Sequence, residues 1–245
     1  MQLLRSILFT CLLFLTVPPY AFLVIVSRPF GWRGSYNWAW RWAKLMVWLA
    51  RVLCGLRFEV EGQEHLPDEP SIVLFKHSSA FETIVQIIII PVQTWVLKRE
   101  LMWAPFFGWG LAAVQPIAID RRAGTSAVQQ VVDQGLEGLR AGRWVVIFPE
   151  GTRMPAGETR RYGLSGALLA QAAGCKVVPV AHDAGDYWPR RGWRKRPGTV
   201  RFCVGPPMDP AGREPREFNA DVQAWIEAKV KELRVAAGHA AADND

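Results

Sequence analysis

The first 58 residues contain no aspartate and no glutamate, although seven of the chain's 29 lysines and arginines lie there. The remainder of the 245-residue chain is balanced, with 22 basic against 22 acidic residues, so the net charge of +7 belongs to the N-terminal quarter. Cysteine is scarce as well. Cys11, Cys54, Cys175 and Cys203 are scattered in apolar surroundings with no C-x-x-C pair. That argues against a zinc site and a disulfide framework, and fits a reducing compartment. There is no Walker loop and no G-x-S-x-G elbow, which Gly163-Leu164-Ser165-Gly166 misses. Gly108-Trp109-Gly110-Leu111-Ala112-Ala113 matches a dinucleotide glycine pattern only loosely, since the "APFF" before it is no strand. No metal-ligating cluster is visible, so no metal is expected.

An acid-free basic arm suits either nucleic acid or anionic lipid headgroups, and the residues between the charges choose. From Ser6 to Ser27 the chain is uncharged; as continuous helix this stretch is roughly 33 Å long, about a bilayer core. Such a stretch has no role in nucleic-acid binding. Pro18-Pro19 at its middle predicts either a kinked spanning helix or a re-entrant pair. No small-x-small site precedes "RPFGWR", which disfavours a cleaved signal peptide. Trp38, Trp40, Trp42 and Trp48 then alternate with Arg41, Lys44 and Arg51, the pattern of a helix lying at headgroup depth. A helix packed on its own domain is the plainer reading. Residues 1–56 are expected to be a two-helix membrane anchor, hydrophobic then amphipathic, with its positive side toward the cytoplasm.

After residue 57, strand-like runs at 57–62, 71–75, 94–98, 114–119, 144–148, 176–181 and 200–205 alternate with helical stretches at 80–90, 125–140 and 163–173. This alternation predicts an α/β domain over 57–235, a single largely parallel sheet flanked by helices. An amphipathic helix over about 217–234 closes it, and residues 236–245 are expected to form a disordered tail. At 245 residues the chain is long enough to bury a proper core.

In open α/β sheets chemistry gathers where strands end. Three strand ends are unusual here: Lys76-His77, Asp120-Arg121-Arg122, and Pro149-Glu150-Gly151-Thr152-Arg153. If they converge on one edge they make a pocket. Ser79-Ala80-Phe81-Glu82 reads as a capping box, which accounts for Glu82 but not for His77. Were residues 77 to 82 all helical, five steps of about 100° would hold the two side chains some 140° apart. With His77 in the loop before the cap they can meet. Glu82 would then fix the imidazole tautomer, and the other ring nitrogen could take a proton from a hydroxyl. Gly151 with Arg153 beyond it suits an anion held by backbone N–H groups and a guanidinium, though a polar turn reads the same way. Lys98 is a weaker candidate of the same kind. His65, His182 and His239 have no motif around them and read as structural.

"KHSSAFE", "PIAIDR", "FPEGTR" and "VVPVA", in that order, resemble the four blocks of the glycerophospholipid acyltransferases, most nearly the bacterial 1-acyl-sn-glycerol-3-phosphate branch. The resemblance covers about residues 58 to 210, and the N-terminal segment is similar to the two-helix motif of such enzymes. It implies His77 as general base on a glycerol 2-hydroxyl, with Glu82 in the acidic position of H-x4-D. It implies Arg121, Glu150, Gly151, Thr152 and Arg153 around the glycerol phosphate, and Val178, Pro179 and Val180 on the acyl-donor side. The first block ends in Glu82 where the family usually has Asp, and the second has Gln115-Pro116 where a glycine is common. Transfer from a thioester to an alcohol needs no cofactor, and no serine or cysteine is placed for a covalent intermediate. The partners implied are lysophosphatidic acid, membrane lipid, and acyl-coenzyme A or an acyl-acyl carrier protein. The place implied is the cytoplasmic face of a bacterial inner membrane. Another acceptor, such as glycerol 3-phosphate or a lyso-aminolipid, fits the same residues. A non-enzymatic membrane-tethered lipid-binding module would leave His77 unexplained.

Overall fold

In the computed structural model, residues 1–239 are described, with the side chains of Arg121 and Thr125 left aside. Seven strands form one sheet: β1 (Leu56–Glu61), β2 (Ile72–Phe75), β3 (Gln93–Lys98), β4 (Ile117–Ile119), β5 (Trp144–Ile147), β6 (Val177–His182) and β7 (Gly198–Val204). Their order is β1-β7-β6-β2-β5-β3-β4. All pairs are parallel except β6–β7. Every expected strand is present, and β4 alone starts more than one residue late. Val114 still belongs to a helix, and Gln115 turns the chain through the left-handed region at φ +54°.

β2, β5 and β6 are buried along their whole length, which is why they read as unbroken apolar runs. Successive residues of β2 feed opposite faces. Val73 and Phe75 join α2 (Trp32–Leu49) and α3 (Phe81–Ile89) in one core. Ile72 and Leu74 join α5 (Thr125–Arg140), α6 (Ser165–Ala173) and α8 (Pro215–Ala236) in the other. α3 leaves β2 toward β3 and α6 leaves β5 toward β6, in opposite directions across the sheet. The carboxyl ends of β2 and β5 therefore flank a topological switch point, where α/β sheets open a crevice.

Residues 1–56 have no core of their own. Phe9, Tyr36, Ala43 and Met46 lie in the same buried cluster as Val73, Phe75 and Val180. α1 (Gln2–Val26) runs unbroken through Pro18 and Pro19, so the chain does not turn back there. Ala237, Gly238 and His239 close α8 by donating to its last carbonyls, so the expected tail does not begin at 236. Residues 240–245 lie outside the described part.

Candidate active site

The strand at β2 ends because the chain meets polar partners it must satisfy. The Lys76 amide donates to Val180 O (3.0 Å), and the Lys76 carbonyl accepts from His182 Nε2 (2.8 Å). His77 follows in extended loop. Its N–H donates to Glu150 Oε2 (2.8 Å), and its carbonyl accepts from Met154 N (2.7 Å). The loop after β5 thus grips the His77 backbone on both sides. Its imidazole stacks on Phe148, with ring centroids 4.2 Å apart.

His77 Nδ1 lies 2.8 Å from Glu82 Oε1. That oxygen also accepts from the amides of Ser78 (3.2 Å) and Ser79 (3.0 Å), and the Ser79 hydroxyl accepts from Phe81 N (3.1 Å). Glu82 therefore closes a helix cap and orients the imidazole with one oxygen, and its extra methylene over Asp does not prevent the reach. Its side chain is fully buried while that of His77 is 16% exposed. With Nδ1–H donated to the carboxylate, the lone pair sits on Nε2, which makes no hydrogen bond among the described residues.

Lys76, which the sequence reading left unassigned, is 1% exposed. Its Nζ donates to Glu150 Oε1 (2.7 Å), Glu158 O (2.8 Å) and both oxygens of Glu227 (2.9 and 3.0 Å). Tyr162 OH (2.6 Å) and Thr159 Oγ1 (2.9 Å) donate to Glu227 in turn. Burial pushes the Glu150 carboxyl up to about 7 against the pull of Lys76. Burial also holds His182 below the ordinary imidazole range. Its Nδ1 accepts from Ala184 N (3.1 Å), which leaves Nε2–H for the Lys76 carbonyl. One ammonium between two carboxylates so fastens β2, β5 and α8 together directly behind His77.

A cavity of about 650 Å³ opens from this point, within the usual range for ligand sites. His77, Lys98, Ile119, Gly151, Thr152 and Arg153 are on its wall, so the strand ends do converge. Gly151 adopts φ +66°, with open space where a Cβ would lie. Arg121 opens the turn after β4, and its side chain lies outside the described residues. Two expectations need correcting. Glu150 is not on the wall: its oxygens are committed to Lys76 and the His77 amide, so it organises the strand ends from behind. Val178, Pro179 and Val180 pair with Val73, Leu74 and Phe75 inside the sheet and are buried, so none lines the cavity. The apolar wall comes instead from α1 (Val17, Tyr20, Ala21, Val24) and from α4 (Phe107–Val114), a helix the sequence reading missed. Gly110 brings those helices close, since a Cβ there would sit 3.2 Å from that of Ala21.

An imidazole paired with a carboxylate at a strand end, a glycine turn with Arg153 beyond it, and a long apolar wall thus meet in one cavity. A family model described as acyltransferase matches residues 57–183, more than half of the chain. The chain belongs to the acyltransferase family. It is 41% identical over 237 residues to the 1-acyl-sn-glycerol-3-phosphate acyltransferase of Pseudomonas aeruginosa, covering 95% of this chain and 92% of that one. The mouse 1-acyl-sn-glycerol-3-phosphate acyltransferase alpha is 28% identical over 204 residues, 81% of this chain and 72% of its own. The crystal structure of a 1-acyl-sn-glycerophosphate (LPA) acyltransferase from Thermotoga maritima superimposes with a TM-score of 0.80 at 22% identity, covering 95% and 96% of the two chains. That last likeness concerns the fold.

Proposed function

We propose that this acyltransferase moves a fatty acyl group from a thioester to the 2-hydroxyl of 1-acyl-sn-glycerol 3-phosphate, giving phosphatidic acid. The observation that carries the reading is the His77–Glu82 pair, with His77 on the wall of an apolar cavity and Gly151, Thr152 and Arg153 on the same wall. The name of the Pseudomonas relative supports the acceptor. In this scheme the acceptor phosphate sits by Arg153 and the Thr152 hydroxyl, with Lys98 near. The acceptor oxygen attacks the thioester carbonyl, its proton passing to His77 Nε2. As the C–O bond forms, the C–S bond breaks and the proton goes to the departing thiolate. Glu82 stabilises the imidazolium between those steps. Coenzyme A or an acyl carrier protein carries the thioester, and the residues on the wall serve either.

The same reading places the protein on the cytoplasmic face of a bacterial inner membrane. α1 has a mean hydropathy of 2.2 and the length to cross a bilayer, yet its inner face is fastened along its length, to α2 and the turn after it and, at Lys195, to the α/β domain. Gln2 donates to the carbonyls of Cys54 and Lys195 (both 2.9 Å), Thr16 accepts from Trp42 (3.1 Å), and the Val24 carbonyl accepts from Ser35 (2.9 Å). Exposed Phe14, Leu15, Phe22 and Ile25 lie on the other face. A helix so docked is suited to lie in one leaflet alongside its domain, not to cross alone. Arg33, Arg41 and Lys44 on α2 and Arg51 in the helical turn that follows it are all exposed, a basic stripe for anionic headgroups. The test is purified protein with labelled acyl-coenzyme A and a panel of lysolipids and glycerol 3-phosphate. Labelled phosphatidic acid formed fastest from lysophosphatidic acid supports the assignment; preference for another acceptor overturns it.

A further inference from the structure

Between β5 and α6 the chain forms neither helix nor strand over residues 148–164. A long loop with no structure of its own is usually functional, and this one has two tasks. It puts Gly151, Thr152 and Arg153 on the cavity wall, and its Met154 N–H holds the His77 carbonyl. Both tasks need a loop that stays in place. Gly163 N donates to Pro149 O (2.8 Å) and closes the loop on itself; the rest of the hold comes from α8.

Phe218, Val222, Ile226 and Val230 form the buried stripe of that helix. One residue further round, at the same four-residue spacing, stands a polar stripe of Asn219, Gln223 and Glu227. Asn219 Nδ2 donates to the Tyr162 carbonyl (3.3 Å). Gln223 Oε1 accepts from Tyr162 N (3.1 Å), and its Nε2 donates to the Arg160 carbonyl (3.1 Å). Glu227 Oε1 accepts from Thr159 Oγ1 (2.9 Å), Tyr162 OH (2.6 Å) and Lys76 Nζ (2.9 Å). All three side chains therefore bind the loop, and Glu227 also reaches the strand end that presents the base. From Lys76 the hold passes to Glu150 Oε1, whose other oxygen accepts from the His77 N–H. A polar stripe that only faced water would show no such pairing.

We infer that Glu227 is a positioning residue for acyl transfer. From α8 it steadies His77 through Lys76 and Glu150, and the Thr152–Arg153 turn through Thr159 and Tyr162, so the base and the anion site keep their spacing. This rests on the acyl-transfer scheme proposed above. The test compares full-length Glu227→Leu, which removes every one of these acceptors, with Glu227→Gln, whose amide oxygen can still accept from Thr159, Tyr162 and Lys76. For Glu227→Leu, kcat on lysophosphatidic acid should fall by about tenfold or more and KM should rise by about threefold or more. Glu227→Gln should keep both within about threefold of the wild type. A role in folding alone would lower the unfolding midpoint of Glu227→Leu and leave kcat and KM unchanged, which would overturn the inference. Equal losses in the two variants would overturn it as well, because the amide keeps the acceptor oxygen. A second readout needs no acceptor. The His77 Nδ1 proton, donated to Glu82, is followed as the downfield proton resonance that His77→Ala lacks. It should broaden or move upfield in Glu227→Leu and persist in Glu227→Gln; an unchanged resonance in Glu227→Leu would overturn the inference. A resonance that responds in a protein whose wild type leaves lysophosphatidic acid unacylated would support the role of Glu227 and count against the acceptor alone.

Discussion

The two ends of the cavity are built by opposite means. At the polar end, the backbone of Lys76-His77 is held by hydrogen bonds from β6, from His182 and from the loop after β5, and the Lys76 ammonium behind it is paired with two carboxylates. At the apolar end, α1, α2 and α4 are held by close packing and a few hydroxyl and indole contacts, with much apolar surface left outside. One end holds its atoms by directional hydrogen bonds, the kind of positioning that a proton transfer would need. The other offers a surface of the right polarity, as a hydrocarbon chain requires. Errors should therefore cost more at the polar end.

The largest effect is expected at Lys76. Lys76→Met removes the ammonium between Glu150 and Glu227 and leaves two carboxylates facing each other. Breaking a buried pair from one side costs about 3–5 kcal/mol, to be read from urea unfolding. The added change Glu150→Gln should recover part of that loss, and a cost under about 1 kcal/mol for Lys76→Met alone would break the comparison. Glu82→Gln comes next. An amide can still accept from Ser78 and Ser79, but it loses the charge and can turn its NH2 to Nδ1, which reverses the tautomer. A fall in kcat of about 10²–10⁴ is expected, as when the orienting carboxylate of other base pairs is made an amide, with the unfolding midpoint little moved.

At the apolar end, Gly110→Val forces α4 from α1 and should cost about 1–3 kcal/mol through overpacking. Gly110 is on the cavity wall, so the catalytic constant on a dissolved acceptor should also fall, but by less than that of Glu82→Gln; a loss as large would show that the two ends are not independent. The smallest effect concerns Asp183 at the end of β6. Burial raises its carboxyl from the ordinary 3.8 to about 6, and Oδ2 has no partner among the described residues. The folded state then holds this proton more tightly, so its contribution to stability is present below pH 4 and lost as pH rises through about 6. Asp183→Asn should thus gain on the wild type across that window, as read from thermal melts at pH 4, 6 and 8. A gap that does not change with pH would contradict the burial effect.

How much of this the sequence displayed follows the same division. His77, Glu82, Gly151 and Arg153 were legible because local chain geometry decides where they point: a strand end, a cap, a tight turn. All seven strands were legible from their apolar runs. Lys76 was visible as an odd ending, but its partner Glu227 is 151 residues away on a helix whose polar face looks like any solvated one. Glu150 shares its motif with residues that do line the cavity, and only the fold shows it turned to Lys76. Val178, Pro179 and Val180 were placed on the acyl-donor side by the resemblance alone, and their apolar run fits the strand buried on both faces that the fold makes of them. α4 was missed because "FGWGLAAV" has two glycines, poor helix formers, kept here by close contacts to Met102 and Ala21. Gln115 explains the departure in the second block: it stands in a left-handed turn that glycine adopts freely, and its carbonyl is held by Thr94 and Arg143.

The central claim is that His77 Nε2 takes the proton from the acceptor hydroxyl, and the direct measurement is kcat/KM for lysophosphatidic acid with purified His77→Ala. A loss of about 10²–10⁴-fold, with vesicle binding and unfolding midpoint unchanged, is the predicted result. Near-wild-type turnover in that variant would contradict the account.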